Sequence, residues 1–369
     1  MKVIHILNYS WENGGSSKVV HDIAQRQQKE GFEVSIFSID KTGHRPYIEI
    51  EGVEIVLLQP HFLAKLLPLF STELYKALKN RHFDIIHLHG LWNFSLLAAY
   101  ILGLAHKTMI TIHGCLNPFT FKCNALKRAI FTYGFQRRFM KEIKMIHVFH
   151  EKEKEYVKNY LGEHPNIEVL ANGIDLDAKF ELKKDRFSSN KVLFLSRLDP
   201  IKGLDLLLPA FLQVIQNIPG ATLQIAGPDF GMLAYVQAFI EKHNVAQNVQ
   251  YLGVLTGKAK KEVQDKANAF ILPSYSEGFS IAVLEALHEG IPVLVSTETG
   301  LSEDITDYNA GTIFPFEIEA IAQCILNTLE NTEESKKQVE NGQKMLSEKF
   351  DIRKILDKMI AFNYQFESK

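Results

Sequence analysis

Short apolar runs rich in β-branched residues alternate with longer stretches of helical periodicity along almost the whole chain. In the first half, residues 3–7, 34–39, 53–57, 85–88, 109–112, 146–149 and 167–170 predict strands. Residues 17–29, 63–79 and 98–104 carry their apolar positions at helical spacing. The rhythm lapses over residues 172–190, where Gly173, Asp175, Asp177, Lys183, Lys184 and Ser188-Ser189-Asn190 intervene. It then restarts, with strands expected at 192–195, 223–226, 249–252, 269–272 and 293–296 and helices at 204–218, 233–243, 259–267 and 281–288. Strands that alternate with helices build parallel sheets covered on both faces. Two such series predict an α/β protein of two Rossmann-like, doubly wound domains: residues 1–172, a linker 173–190, and residues 191–349. After about Phe316 the chain turns helical and charged. Its end, about 350–369, places Ile352, Ile355, Leu356, Met359, Ile360 and Tyr364 on one stripe that needs a surface to pack on.

Composition narrows the class. The 369 residues are 46% hydrophobic and 23% charged, which excludes wholesale disorder, collagen-like repeats and a disulfide-dense mini-protein. Lys and Arg number 41 against 43 Asp and Glu, so no nucleic-acid-binding balance is visible. The net charge of -2 hides an asymmetry: 24 basic and 20 acidic residues in 1–185 against 17 and 23 thereafter, or +4 and -6. Three cysteines (Cys115, Cys123, Cys324) and no cleavage pattern after the first apolar run point to a reducing compartment, the cytoplasm. Residues 62–70, broken by Lys65 and Pro68, and 91–105, which contain Asn93, are the nearest approaches to a membrane span, and both fall short.

Doubly wound sheets bind ligands beyond the C-terminal ends of their strands, so the residues after each strand carry the functional signal. After the first strand, Gly14 and Gly15 precede a helix, where bare backbone N–H groups and the helix dipole favour an anion. The third glycine of a dinucleotide fingerprint is missing, although Asp40 ends the second strand where a ribose-binding acid would sit. In Ser196-Arg197-Leu198-Asp199-Pro200-Ile201-Lys202-Gly203, two cations five residues apart suit opposite sides of one diphosphate; the bland alternative is a solvated loop. In Ser276-Glu277-Gly278-Phe279-Ser280, the acid sits in a turn and Ser280 is placed to cap the next helix. Glu285 lies inside that apolar helix and needs a partner, for which ligand hydroxyls are suited.

Taken together these residues resemble the retaining nucleotide-sugar glycosyltransferases of family four, with the GT-B fold, and within them the bacterial exopolysaccharide and capsule enzymes. Asn172-Gly173-Ile174-Asp175, Ala226-Gly227-Pro228, Tyr251-Leu252-Gly253-Val254 and Gly300-Leu301-Ser302-Glu303 extend the resemblance over nearly the whole second half. It implies two domains facing a central cleft, with the C-terminal helix packed back on the first. It implies that Arg197 and Lys202 neutralise the donor diphosphate with backbone from Gly14 and Gly15. Glu277 would hold donor-sugar hydroxyls beside the N–H groups of Gly278, Phe279 and Ser280. Glu285 would bind the ribose, backbone near Gly227 and Val254 would line the nucleotide, and His113 would face the reacting sugar. One departure is Thr299 before Gly300, where the family often has two glycines.

Cleaving a glycosyl–diphosphate bond builds positive charge on the sugar and negative charge on the leaving group. Arg197 and Lys202 would stabilise the latter, so no metal and no other cofactor is expected. Glu277 is a candidate covalent nucleophile, but hydroxyl binding suits it better. A zinc site at His113, Cys115 and Cys123 is rejected on spacing. The segment from Phe119 to Lys144 has seven cations against Glu142 alone, interleaved with Phe121, Phe131, Tyr133, Phe135 and Phe139. That pattern suits an anionic membrane face or a lipid-diphosphate acceptor, and its alternative is a helix whose aromatics enter the core. The reading is a hexosyltransferase taking a UDP-sugar such as UDP-glucose to a glycan or lipid-linked acceptor, cytoplasmic and peripheral at the membrane, with no nucleic acid partner. Alternatives are a GDP-sugar mannosyltransferase, a nucleotide-sugar epimerase and a non-catalytic nucleotide-sugar-binding regulator.

Overall fold

A computed structural model describes residues 1–10, 14–39, 48–65, 67–118, 125–164, 166–176, 180, 182 and 186–364. The chain divides into two compact units, Met1–Asn172 with Arg353–Lys369, and Gly173–Ile352.

The apolar runs of the first unit form β1 (Lys2–Leu7), β2 (Glu33–Ile39), β3 (Glu54–Leu58), β4 (Ile85–His89), β5 (Thr108–Thr111), β6 (Met145–Val148) and β7 (Ile167–Val169). They pair in the order β3-β2-β1-β4-β5-β6-β7, every described pairing parallel. Helices cover the sheet, which buries Ile6, Ile36, Ile86 and Ile110 completely. The helix expected over 63–79 is instead a 3₁₀ turn, Phe62–Lys65, and a helix, Thr72–Asn80. Pro68 cannot continue a helix, and Ser71 caps the second piece by accepting from the Leu74 N–H at 3.3 Å. The helix expected over 98–104 begins earlier, at Phe94, because Asn93 caps it, and it ends at Ile101. The terminal helix Ile352–Tyr364 belongs to this unit: Ile355, Leu356, Met359 and Ile360 are buried. Asp357 on that helix accepts from Arg26 Nη2 at 2.6 Å.

The second unit holds β8 (Lys191–Leu195), β9 (Thr222–Ala226), β10 (Val249–Tyr251), β11 (Ala269–Leu272), β12 (Val293–Ser296) and β13 (Thr312–Phe314), ordered β10-β9-β8-β11-β12-β13 and parallel. The edge strand β13 was not expected; three residues give too short an alternation to register. Ile174 and Asp351 form a parallel bridge where the chain enters and leaves this unit. Gly173 is required there, since a Cβ would lie 2.6 Å from the Ile352 Cα. Arg186, within the expected linker, is buried and donates to the carbonyls of Gln264, Ala267 and Glu289. Its charge thus sits at the C-terminal ends of the helices Gly257–Lys266 and Ile281–His288, where the helix dipoles favour a cation.

Candidate active site

In each sheet the strand order reverses at one point, and loops leaving the C-terminal ends on either side open a crevice there. In the second unit that point lies between β8 and β11, which are followed by Ser196–Gly203 and Pro273–Ser280. These two loops hold Arg197, Lys202, Glu277 and Ser280. They approach closely because of glycine: Gly203, at φ +72°, would place a Cβ 2.0 Å from the Pro273 carbonyl oxygen. The Tyr275 N–H donates to the Ile201 carbonyl at 2.8 Å and ties the two loops together. On the other side, Gly227 would drive a Cβ to 1.8 Å from the Ser196 carbonyl oxygen.

Lys202 and Glu277 form a direct ion pair between Nζ and Oε2, with side chains only 8% and 14% exposed. Lys202 sits at the end of a 3₁₀ turn capped by Asp199, whose Oδ1 accepts from the Ile201 N–H at 3.0 Å. Glu277 is held by its backbone. Its N–H donates to the Glu298 carbonyl and its carbonyl accepts from Gly300, so the β12 loop with Thr299 joins the same edge. Removing two charges from water is costly, and the cost is offset only when they pair well. Lys202 is therefore not a solvated surface cation. Arg197 is exposed, its guanidinium 4.9 Å from the centroid of the Phe230 ring.

Ser280 caps the helix Ile281–His288, accepting from the Val283 N–H at 3.4 Å. Glu285 on that helix has a protein partner that sequence reasoning missed: Lys260 Nζ lies 2.6 Å from its Oε2. Lys260 lies on a neighbouring helix whose charged residues give no sequence signal for this pairing. Tyr251 donates to the Gly227 carbonyl at 2.9 Å, and Gly227 N–H to Gly253, which leaves Val254 exposed at the end of the β10 loop. Tyr275, bonded to Asp205 at 2.7 Å, has its hydroxyl pushed up to about 12 by burial and by that carboxylate.

In the first unit the helix begins at Gly14, so Gly14 and Gly15 occupy its first turn rather than a preceding loop. A Cβ on Gly15 would meet nothing within 4 Å, which leaves its backbone open. His113 follows β5 with a left-handed backbone, φ +53°. Its loop is clamped by a second residue the sequence did not single out. The buried Glu153 carboxylate accepts from Gly114 N–H at 2.6 Å and from Phe149 N–H at 2.7 Å. Burial raises this carboxyl to about 7 despite those two donors. Burial likewise raises the Cys115 thiol to about 11, which disfavours the thiolate that a metal site needs.

Asp40, Cys123 and residues 119–124 lie outside the described residues. The rest of the basic segment forms the helix Ala125–Phe131, a π-type turn Thr132–Gln136 and the helix Arg137–Glu142. Phe131, Phe135 and Phe139 pack on the first unit's core, while Ile130 and Tyr133 are exposed. The pattern therefore divides between its two readings.

Two parallel, doubly wound units in series form the GT-B fold. A sequence profile described as glycosyl transferases group 1 matches residues 177–345, and one described as Glycosyltransferase Family 4 matches residues 13–178. The chain belongs to glycosyltransferase family four. It is 24% identical to an uncharacterized glycosyltransferase of Methanocaldococcus jannaschii over 91% of this chain and 90% of that one. It is also 24% identical to an uncharacterized 41.2 kDa protein in the cps region of Klebsiella pneumoniae, over 86% and 87% of the two chains. The fold is shared with the Anabaena protein HepE, solved in complex with UDP and glucose, at a TM-score of 0.77 and 19% identity over 99% of this chain and 100% of that one.

Proposed function

We propose that this transferase is retaining and metal-independent. It moves a hexose from a UDP-sugar, UDP-glucose first, to a glycan or lipid-linked oligosaccharide in exopolysaccharide biosynthesis. The observation that carries this reading is the Lys202–Glu277 pair at the switch point. An arriving nucleotide sugar offers each member a replacement partner, phosphate oxygens for the ammonium and sugar hydroxyls for the carboxylate. The two charges are thus stored against one another until a ligand with both groups takes them up. Glu285 exchanges Lys260 for the ribose hydroxyls in the same way.

During transfer the bond from the anomeric carbon to the diphosphate oxygen breaks, and its electrons leave with UDP. Lys202 and Arg197 stabilise the charge gathering there, with the backbone N–H groups of Gly14 and Gly15 in the first turn of their helix as further donors. The acceptor hydroxyl bonds to the same face of the anomeric carbon and gives its proton to the departing phosphate. His113 hydrogen-bonds a hydroxyl of the reacting sugar, and the backbone of Gly278, Phe279 and Ser280 lies beside Glu277 for others. HepE with UDP and glucose supports the donor class, and the cps-region relative supports an extracellular polysaccharide as product. Exposed Ile130 and Tyr133, close in sequence to Arg138 and Lys141, support a peripheral position on an anionic membrane facing the cytoplasm.

The deciding experiment is a thermal-shift panel of UDP- and GDP-sugars followed by donor hydrolysis and transfer assays. UDP-glucose should stabilise the protein and be consumed. Stabilisation by GDP-mannose alone, or tight binding without turnover, would replace this reading.

A further inference from the structure

We propose that a one-way chain of histidines, running from Gln27 through the buried His5 and His89 to the half-buried His113, fixes the tautomer of His113 and leaves its Nδ1 as a bare hydrogen-bond acceptor. The proposal deepens the role given to His113 above and rests on that role only for its consequence in transfer.

β1 and β4 are adjacent parallel strands in which His5 pairs with His87, and the period of two puts His89 on the same face as His87. The three rings lie against one another at centroid distances of 4.2 to 5.5 Å. Burial drives His5 down to about 4 and His113 to about 3, and His87 and His89 also fall well below the ordinary value. All are neutral near pH 7, so each ring carries one N–H and one bare nitrogen. The direction of every bond then follows from one end. With the Gln27 amide oriented so that Oε1, an acceptor, lies 2.8 Å from His5 Nε2, that nitrogen carries the proton. His5 Nδ1 is therefore bare and accepts from His89 Nε2 at 3.2 Å. His89 Nδ1 is bare in turn and accepts from His113 Nε2 at 3.0 Å. The proton of His113 is thus committed to Nε2. Its Nδ1 has no partner among the described residues, and the side chain is only half-buried.

A second chain beside it obeys the same logic. His147 Nε2 donates to the Leu170 carbonyl at 2.7 Å, so its Nδ1 accepts from Thr111 Oγ1 at 2.8 Å. Thr111 then accepts from His87 Nε2 at 2.6 Å. The consequence for the site is specific. A His113 held in this tautomer accepts a hydrogen bond from a sugar hydroxyl and cannot donate one from Nδ1. Gln27, His5 and His89 are positioning residues for it.

The competing reading of the same cluster is a metal site, since His5, His87 and His89 offer ligand atoms within 4.8 Å of one another. A metal held by the same nitrogens would require His89 Nε2 to be bare and would reverse the proton on His113.

The test uses the full chain with ¹⁵N-labelled histidine at pH 7.5, His113 being assigned by its loss in His113→Gln. Long-range ¹H–¹⁵N spectra should show His113 with a protonated Nε2 and a bare Nδ1. Gln27→Leu should mix the tautomers of His5 and His113 and lower kcat about tenfold, the worth of one hydrogen bond, at unchanged donor KM. Gln27→Glu, which keeps an acceptor, should restore both. A protonated Nδ1 on wild-type His113, spectra unmoved by Gln27→Leu, or one zinc per chain lost in His89→Phe each overturns the proposal. Full transfer by His113→Ala would remove the assigned role of His113 in transfer and leave the tautomer measurement standing, so the two failures are distinguishable.

Discussion

Lys202 and Glu277, 75 residues apart in sequence, meet as a nearly sealed ammonium–carboxylate pair between the loops that follow β8 and β11. Neither residue has another charged partner among the described residues, so removing one strands the other in a site mostly closed to water.

Glu277→Gln and Lys202→Met are therefore expected to destabilise the second unit by about 3 kcal/mol each, with the double variant costing much less than the sum. Urea denaturation in a double-mutant cycle measures this. UDP should raise the melting temperature of Glu277→Gln by more than that of the wild type, because phosphate then supplies the missing partner of Lys202. Both single variants should lose transfer by at least about a hundredfold; wild-type turnover by Lys202→Met would sink the diphosphate assignment.

Arg197 and Glu285 should separate stability from binding. Arg197 is exposed and stacked on Phe230, and the Lys260–Glu285 pair is about a quarter exposed on each side. Arg197→Ala and Glu285→Gln are each expected to cost no more than about 1 kcal/mol in denaturation. Glu285→Gln should raise the donor KM by about tenfold in transfer assays, and Arg197→Ala should in addition lower kcat by at least about tenfold, because the charge it meets builds during transfer. Lys260→Ala, which frees Glu285, should leave the donor KM unchanged or lower it, and a rise as large as that of Glu285→Gln would contradict the exchange of partners.

Acid should unfold the first unit selectively. His5, His113 and His147 are depressed to about 4, about 3 and about 4, and His87 and His89 are depressed as well, all chiefly by burial. Below pH 6.5 the unfolded chain takes up protons that the folded unit refuses, so stability is lost as the pH falls from 6.5 towards 4. Glu153, raised to about 7, acts in the opposite sense: between 4.5 and 7 the folded state retains a proton that the unfolded state has released. One such group is outweighed by five histidines. Urea midpoints followed by near-ultraviolet circular dichroism should fall between pH 7 and 5, less steeply in His5→Gln. A flat profile across that range would rule the account out.

Because the cations proposed to meet the diphosphate are side chains, transfer should persist in EDTA at the wild-type rate. Loss of activity on chelation, restored by magnesium or manganese, would transfer the charge-neutralising role from Arg197 and Lys202 to a metal.

Much of the architecture was written in local sequence. β-branched runs alternating with helical periods specify parallel strands because a strand buried on both faces tolerates no polar alternation. Pro68, Ser71, Asn93 and Ser280 mark helix limits through chemistry confined to a few residues. Glu285 could be singled out because a carboxylate inside an apolar helix needs a partner, and Arg197, Lys202 and Glu277 because they follow strands, where doubly wound sheets bind ligands. Which partners they take was decided only in three dimensions. Lys260 reaches Glu285 across neighbouring helices, Glu153 gathers Gly114 and Phe149, His87 and His147 meet on Thr111, and His5 meets Gln27, since sheet order sets those distances and sequence spacing does not. The sequence by itself determined which groups must be satisfied, because hydration and backbone costs belong to each residue. The tertiary structure decided with what, because hydrogen bonds and ion pairs depend on separations of a few ångströms between residues far apart in the chain.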